Sequence, residues 1–356
     1  MIEDDDLDAV VEAVASGFLV QGKRVAEFER EIGSIAGTEH VVAVSSGTAA
    51  LHISLVALGV GPGDHVAVPA YSFLATANVV ELVGATPVFV DIQPDTFALD
   101  PTQLAQVTAA RRIDAVIPVH PFGQVADIAG IIDAARGAPI IEDGAAALGA
   151  LQGGRPAGSF GRVGCFSFHP RKAVTTGEGG AISTDDAALA RTARALRNHG
   201  QDPDADRVDF ILPGFNYRMT EFQAALGSSQ LGKLERVIAA RRRAAEVYDE
   251  LLTAGPVTAP AIRPGNAAVY QSYVTLLPRG VDRDGMIARL REVGIESQIG
   301  TYHMPLCRFY RERYGYRVGD FPVTDDIAAR ALSLPLYPTI SRTDQDAVVA
   351  ALLAAL

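Results

Sequence analysis

Between Glu39 and Asp185 short apolar runs alternate with stretches of helical periodicity, and this alternation constrains the fold more than any other feature of the chain. The runs His40–Val44, His65–Pro69, Pro87–Ile92, Ala115–His120, Pro139–Glu142 and Gly164–Phe168 are β-branched and continuous. That is the pattern of strands covered on both faces. Between them the spacing predicts helices over Thr48–Leu58, Ser72–Val83, Pro101–Ala110 and Asp127–Ala135. Turn-forming stretches, GVGPGD at 59–64 and QPDT at 93–96, punctuate the units. The expectation is an α/β fold with a mostly parallel central sheet flanked by helices.

Gly179–Thr184 reads as a further strand, Asp186–Arg197 as a helix and Gln201–Phe210 as a polar loop. Thr220–Thr253 reads as one long helix or a kinked pair, with Arg241, Arg242 and Arg243 as a solvated face of it. Past Gly255-Pro256 the pattern changes to a strand at Ser272–Leu277 and helices at Asp284–Val293 and Asp344–Leu356. The reading is a large domain over residues 1–255, with an N-terminal segment and a long linking helix, and a small C-terminal α+β domain over 256–356.

Composition excludes several classes. The 356 residues carry 31 Lys and Arg against 42 Asp and Glu, a net charge of −11. Such a field argues against nucleic acid or an anionic membrane as partner, though not against a small anion held locally. A 48% hydrophobic content excludes disorder. No stretch reaches the ~18 uncharged apolar residues of a spanning helix. The N-terminus through Asp8 is acidic, the opposite of a secretory signal. The two cysteines, Cys165 and Cys307, form no CxxC pair, so neither a disulfide nor a metal site is expected and a reducing cytoplasm fits. The apolar excess has two readings, a doubly covered sheet or a large subunit interface.

Four places carry chemistry. SSGTAAL at 45–51 follows a strand and opens a helix, which aims free amides and the positive end of the helix dipole at an anion; an ordinary helix cap gives the same pattern. Asp143 stands at the end of an interior strand, where α/β folds place ligands, and could hold a protonated ring nitrogen, cap a helix or form a salt bridge. Lys172 follows a buried strand and precedes TTGEGG at 175–180, a place where an amine can be desolvated and pre-positioned; a loop lysine is otherwise simply solvated. In PAYSF at 69–73 an aromatic just past a strand end can lie on a planar ring or fill a core. Together they form a phosphate seat, a stacking ring, an acid and an amine, the four things pyridoxal phosphate needs.

The chain resembles the DegT/DnrJ/StrS family of pyridoxal-phosphate-dependent sugar aminotransferases, which have the aspartate aminotransferase fold (fold type I). The resemblance covers nearly the whole chain. It is carried by SSGTAAL at 45–51, PAYSFLATANVV at 69–80, IEDGAAALGA at 141–150, FSFHPRK at 166–172, TTGEGG at 175–180, RNHG at 197–200, GFNYRMTEFQAALG at 214–227 and HMPL at 303–306. It implies that Lys172 is the Schiff-base lysine and Asp143 the partner of the pyridine nitrogen. It implies that Ser167, Gly47, Thr48 and Ala49 bind the phosphate and that Phe73 stacks on the ring. Asn216 would reach the phosphate of the neighbouring subunit, so the homodimer would share its active sites. Tyr217, Arg218, Tyr302 and His303 would lie near the substrate. The implied reaction moves an amino group from an amino acid, L-glutamate, through pyridoxamine phosphate to a keto group of a nucleotide sugar. A keto-cyclitol acceptor, or a related reaction on such a ring, is an alternative within this chemistry, and a non-catalytic pyridoxal-phosphate-binding regulator is one outside it. The chain departs from many relatives at Ala146, where they carry Gln or His, and at Cys307, near which they carry His. Retention of Lys172, which dehydratase relatives replace by His, favours transamination.

Overall fold

The computed structural model describes residues 2–356. Its central sheet orders the strands His40–Val44, Gly180–Thr184, Val163–Ser167, Ile141–Asp143, Ala115–Val116, His65–Pro69 and Thr86–Val90 from one edge to the other. Two parallel bridges, Val116 to Ile140 and Val119 to Asp143, join its halves. There Val116 N donates to Pro139 O at 3.0 Å and Asp143 N to Pro118 O at 2.8 Å. Every pairing is parallel except those of Gly180–Thr184, which runs antiparallel to both neighbours. A mostly parallel sheet is therefore what forms, and nearly all its strand residues are buried.

Helices fill the gaps between strands: Gly47–Ala57, Ala75–Leu82, Pro101–Ala110, Ile128–Ala134 and Ala187–Arg197. Ser46, Asp100, Asp127 and Asp186 cap four of them by accepting from first-turn amides. The helix expected from Ser72 begins instead at Ala75. Tyr71 and Ser72 are extended because they pair antiparallel with His303 and Tyr302, a partner 230 residues away that local spacing cannot register. The stretch 220–253 is the kinked pair, Glu221–Leu231 and Leu234–Leu252. Helices Asp4–Ala15 and Lys23–Ala36, absent from the sequence reading, pack against Glu221–Leu231.

The reading of the arginine triplet as a solvated face is corrected. Arg243 is exposed, but Arg241 is buried and Arg242 donates through Nε to the Ala268 carbonyl at 2.8 Å. The linking helix lies between two bodies of structure, so only one of three consecutive residues faces water. Beyond it, strand Tyr273–Leu276 pairs with Ala331–Leu334, which pairs in turn with Gln298–Ile299. Helices Arg283–Glu292 and Arg342–Ala354 close a second apolar core around Tyr248, Tyr273, Met286 and Leu352. Among the described residues no helix is long and apolar enough to cross a membrane.

One buried group ties the sheet to its loops. Glu142 Oε1 accepts from the amides of Phe160 and Gly161, both at 2.6 Å. Its Oε2 accepts from His120 Nε2 at 2.8 Å and from Gly158 N at 2.9 Å. His120 Nδ1 accepts from Ala126 N at 3.2 Å, so the ring carries its proton on Nε2. Glu142→Ala would strand four donors, and breaking such a network costs roughly 3–5 kcal/mol. We expect a clear fall in the urea or thermal unfolding midpoint, whereas an unchanged midpoint would remove Glu142 from this role.

Candidate active site

The strand ends bring the candidate residues to one edge of the sheet. Val44, Gly180 and Ser167 are in register across three adjacent strands, and Asp143 is paired with Cys165 on the next. Helix Gly47–Ala57 starts three residues after the first of these strands. Its cap is Ser46, whose Oγ accepts from Ala49 N at 3.1 Å. No acceptor among the described residues takes the amides of Gly47 or Thr48, the first two of the helix. Two glycines make this approach possible. A Cβ on Gly47 would lie 2.8 Å from Ser167 Cβ, and a Cβ on Gly180 would strike the Ser46 carbonyl. The free amides, the dipole and the Ser167 hydroxyl therefore meet in one small space.

Asp143 is buried and lightly bonded. Its Oδ2 accepts from Thr76 Oγ1 at 2.8 Å and its Oδ1 from Ala145 N at 3.2 Å. A carboxylate has about four lone-pair sites, so acceptor capacity is left for a ligand. Thr76 is fully buried in the first turn of Ala75–Leu82, and its hydroxyl is also 3.3 Å from Ser72 Oγ. The sequence reading did not single out Thr76. Its only signal was a hydroxyl residue three positions after Phe73, at a helix start beside a strand end.

Lys172 is half-buried, and its Nζ makes no hydrogen bond or ion pair among the described residues. Burial holds its pKa below the ordinary lysine value; the Asp143 carboxylate opposes this, and the charges of Arg171 and Arg241 add to it. The loop is fixed by Lys172 N donating to His169 O at 2.8 Å and Thr176 N to Phe168 O at 3.0 Å. The lysine therefore stands in the field of Asp143 with its ammonium form disfavoured by burial, the direction a nucleophilic amine requires.

The remaining candidates lie on the rim. Phe73 is 63% exposed and meets the ring of Tyr302, 43% exposed, edge-on at 6.2 Å. Asn216 is exposed beside Tyr217, which stacks on Phe215 at 4.9 Å and lies 3.2 Å from His52 Nδ1. Arg218 donates through Nη1 to Asn198 Oδ1 at 3.1 Å, and its buried Nε has no partner. His303 turns its Nε2 to Asp325 at 2.9 Å, so that nitrogen is already committed. Ala146 and Cys307 are partly exposed, and Cys307 Sγ lies 3.6 Å from the His303 carbonyl. Among the described residues no group of His, Cys, Asp or Glu is arranged to hold a metal ion.

Comparison with known proteins shows the family. The DegT/DnrJ/EryC1/StrS aminotransferase family matches residues 1–353. The chain belongs to that family. GDP-perosamine synthase of Caulobacter vibrioides is 37% identical over 99% of this chain and 95% of its own. A family aminotransferase from Brucella abortus superposes with a TM-score of 0.91 at 37% identity, covering 99% of this chain and 95% of that one. Spr1654 of Streptococcus pneumoniae in its PLP form gives 0.94 at 28% identity, over 100% and 96%. The chain is thus an enzyme, an aminotransferase of fold type I, and its family implies pyridoxal phosphate as cofactor.

The residues present fit that cofactor. Two unpaired helix amides and Ser167 suit its phosphate, Asp143 keeps free acceptor capacity for a ring nitrogen, and the Lys172 amine is unpartnered. Thr76→Val keeps the side-chain shape and removes the donor on Asp143. A hydrogen bond to a charged group contributes roughly 1.5–3 kcal/mol. We expect pyridoxal phosphate to bind the apoenzyme about ten- to hundred-fold more weakly, measured by absorbance titration; unchanged affinity would show that Asp143 needs no such support.

Proposed function

We propose that this enzyme transfers an amino group from L-glutamate to the keto group of a nucleotide-activated sugar. The observation that supports it most is the meeting of Asp143, unpartnered Lys172 and the Gly47–Thr48 amides at one sheet edge. A GDP-linked keto sugar is the first acceptor to test, because a relative 37% identical over 99% of the chain is a GDP-perosamine synthase.

Pyridoxal phosphate, when bound, supplies an aldehyde that amines can capture and a ring that withdraws electrons. Gly47, Thr48, Ala49 and Ser167 would hold its phosphate. Asp143 would keep the ring nitrogen protonated by a charge-assisted bond, and Thr76 would orient that carboxylate. Lys172 would hold the aldehyde and, when released from it, accept and return a proton at Nζ. Phe73 would cover one ring face, its exposure leaving room for a ligand. Tyr217, Arg218, Tyr302 and His303 would border the sugar. We also place a domain boundary at 255/256, just past the helix that ends at Leu252, and the enzyme in the cytoplasm, with both cysteines free.

Asn216 would serve the partner subunit's phosphate, so the dimer would be the functional unit. Its exposure in one chain, next to the ordered Tyr217 stack, supports this.

Three experiments test the reading. Purified protein should show a visible absorption band that glutamate bleaches, and GDP-keto-sugar should restore it. Lys172→Ala should abolish turnover while leaving the unfolding midpoint nearly unchanged. A band indifferent to glutamate would overturn the proposal. For the shared site, mixing inactive Lys172→Ala with inactive Asn216→Ala should restore roughly a quarter of wild-type activity, since each hybrid dimer has one intact site. Activity no higher than the sum of the parents would place Asn216 outside the partner's site.

A further inference from the structure

Behind the Lys172 loop lies a relay that no role above accounts for. Arg241, on the linking helix, is 7% exposed, and its Nη1 donates to Gln271 Oε1 at 3.1 Å. The other end of the same amide, Gln271 Nε2, donates to the carbonyl of Arg171. That carbonyl belongs to the peptide joining Arg171 to Lys172. Arg241 Nε is buried without a partner, which marks a guanidinium kept in place at a cost in unmade bonds.

The segment that carries Gln271 is itself locked. Gln271 N donates to Phe122 O at 2.8 Å and Val269 N to Gly123 O at 2.9 Å. Tyr270 and Phe122 hold positive φ values of 46° and 55°, conformations that persist only where the surroundings over-determine them. A Cβ on Gly123 would come within 2.9 Å of Gln271 N, so no other residue allows this contact without movement. The backbone of Gln271 is therefore held rigidly, and its amide is held from there by Arg241 and the Arg171 carbonyl.

We propose that Arg241 and Gln271 are positioning residues for Lys172: the guanidinium fixes the Gln271 amide, and the amide clamps the peptide that carries the amine. The proposal rests on the role given to Lys172 above. Gln271 supplies position and Arg241 also supplies charge. The charged groups facing Lys172 are Asp143 from the sheet, Arg171 from its own loop and Arg241 from the linking helix. His169 and Glu178, 4.0 Å apart, sit on the rim of the same loop. Burial disfavours the ammonium form, and a second positive charge behind the loop disfavours it further. A fixed guanidinium is suited to this because it stays charged at every working pH.

The composition makes the test clean. Only three lysines occur in the chain, Lys23, Lys172 and Lys233. Lys23 is exposed, while for Lys233 burial is outweighed by bonds to Asp5 and Asp6, which raise its pKa. Trace acetylation of the apoenzyme with acetic anhydride over neutral to alkaline pH, read by mass spectrometry, therefore follows Lys172 against two internal references. We expect its labelling midpoint to lie below that of Lys23. Arg241→Met should move it up towards Lys23, and Arg241→Lys should leave it in place. Gln271→Met, at a half-exposed side chain, should keep the midpoint but lower kcat of the holoenzyme about tenfold at unchanged KM, the signature of a misplaced reacting group. An unmoved midpoint in Arg241→Met, or a kcat within about twofold of wild type in Gln271→Met, overturns the proposal. If Arg241→Met does not fold, the Gln271→Met kinetics decide. Borohydride reduction of the wild-type holoenzyme separates the underlying reading: absence of a pyridoxyl group on Lys172 would overturn that role, while the apoenzyme labelling would still decide the effect of Arg241.

Discussion

Two carboxylates stand side by side on one interior strand, and the site depends on their different environments. Alternation along Ile141–Asp143 sends Glu142 to one face of the sheet and Asp143 to the other. Glu142 is saturated by four donors and serves only to bind loops and His120. Asp143 has two donors and stays short of saturation. The first fixes the strand so that the second can be left incomplete. His120 links them, since its ring donates to Glu142 while its own N–H donates to the Asp143 carbonyl at 3.0 Å. A polar group buried and under-satisfied is costly unless a ligand completes it, which is why this edge reads as a binding site rather than as core.

Much of this was legible in sequence, and the failures share one cause. The strands 40–44, 65–69 and 180–184 follow from local composition, so periodicity found them, while it left one long helix or a kinked pair open over 220–253. Three parts of the constellation were legible because they sit at or next to a strand end or helix start, positions that local rules predict; Lys172 lies in the loop between the strands that end at Ser167 and begin at Gly180. Tyr71 and Ser72 were misassigned because their state is set by Tyr302 and His303. Thr76 and Gln271 escaped notice because each acts only through a partner distant in sequence, Asp143 or the Arg171 carbonyl. The arginine triplet misled for the same reason. Three consecutive charges look solvated until something is known to cover the helix, and here Ala268 and Gln271 do.

The net charge of −11 says little about the site itself. Around Lys172 the charge is of the opposite sign, with Arg171 and Arg241 close enough to act on it and Asp143 opposing them. The helix amides add partial positive charge without adding a residue that titrates. An anionic cofactor and an anionic acceptor can thus be drawn into an acidic protein, because fields at a few ångströms outweigh a screened global charge.

The same geometry explains why one chain looks unfinished. Phe73, Tyr302 and Thr48 are exposed around the edge that holds Asp143, and Asn216 points from an ordered aromatic stack to open solvent. The N-terminal helix presents Leu7, Val11 and Val14 outward, and Phe18, Leu19 and Val20 follow it, all more than 40% exposed. A run of apolar side chains at that density is unusual for a surface that stays wet. The proposed dimer gives one account of both features: the apolar run would be covered, and each chain would complete the other's phosphate seat. The two readings of the apolar excess then become one, since the covered sheet provides the edge and the covered surface provides its missing wall.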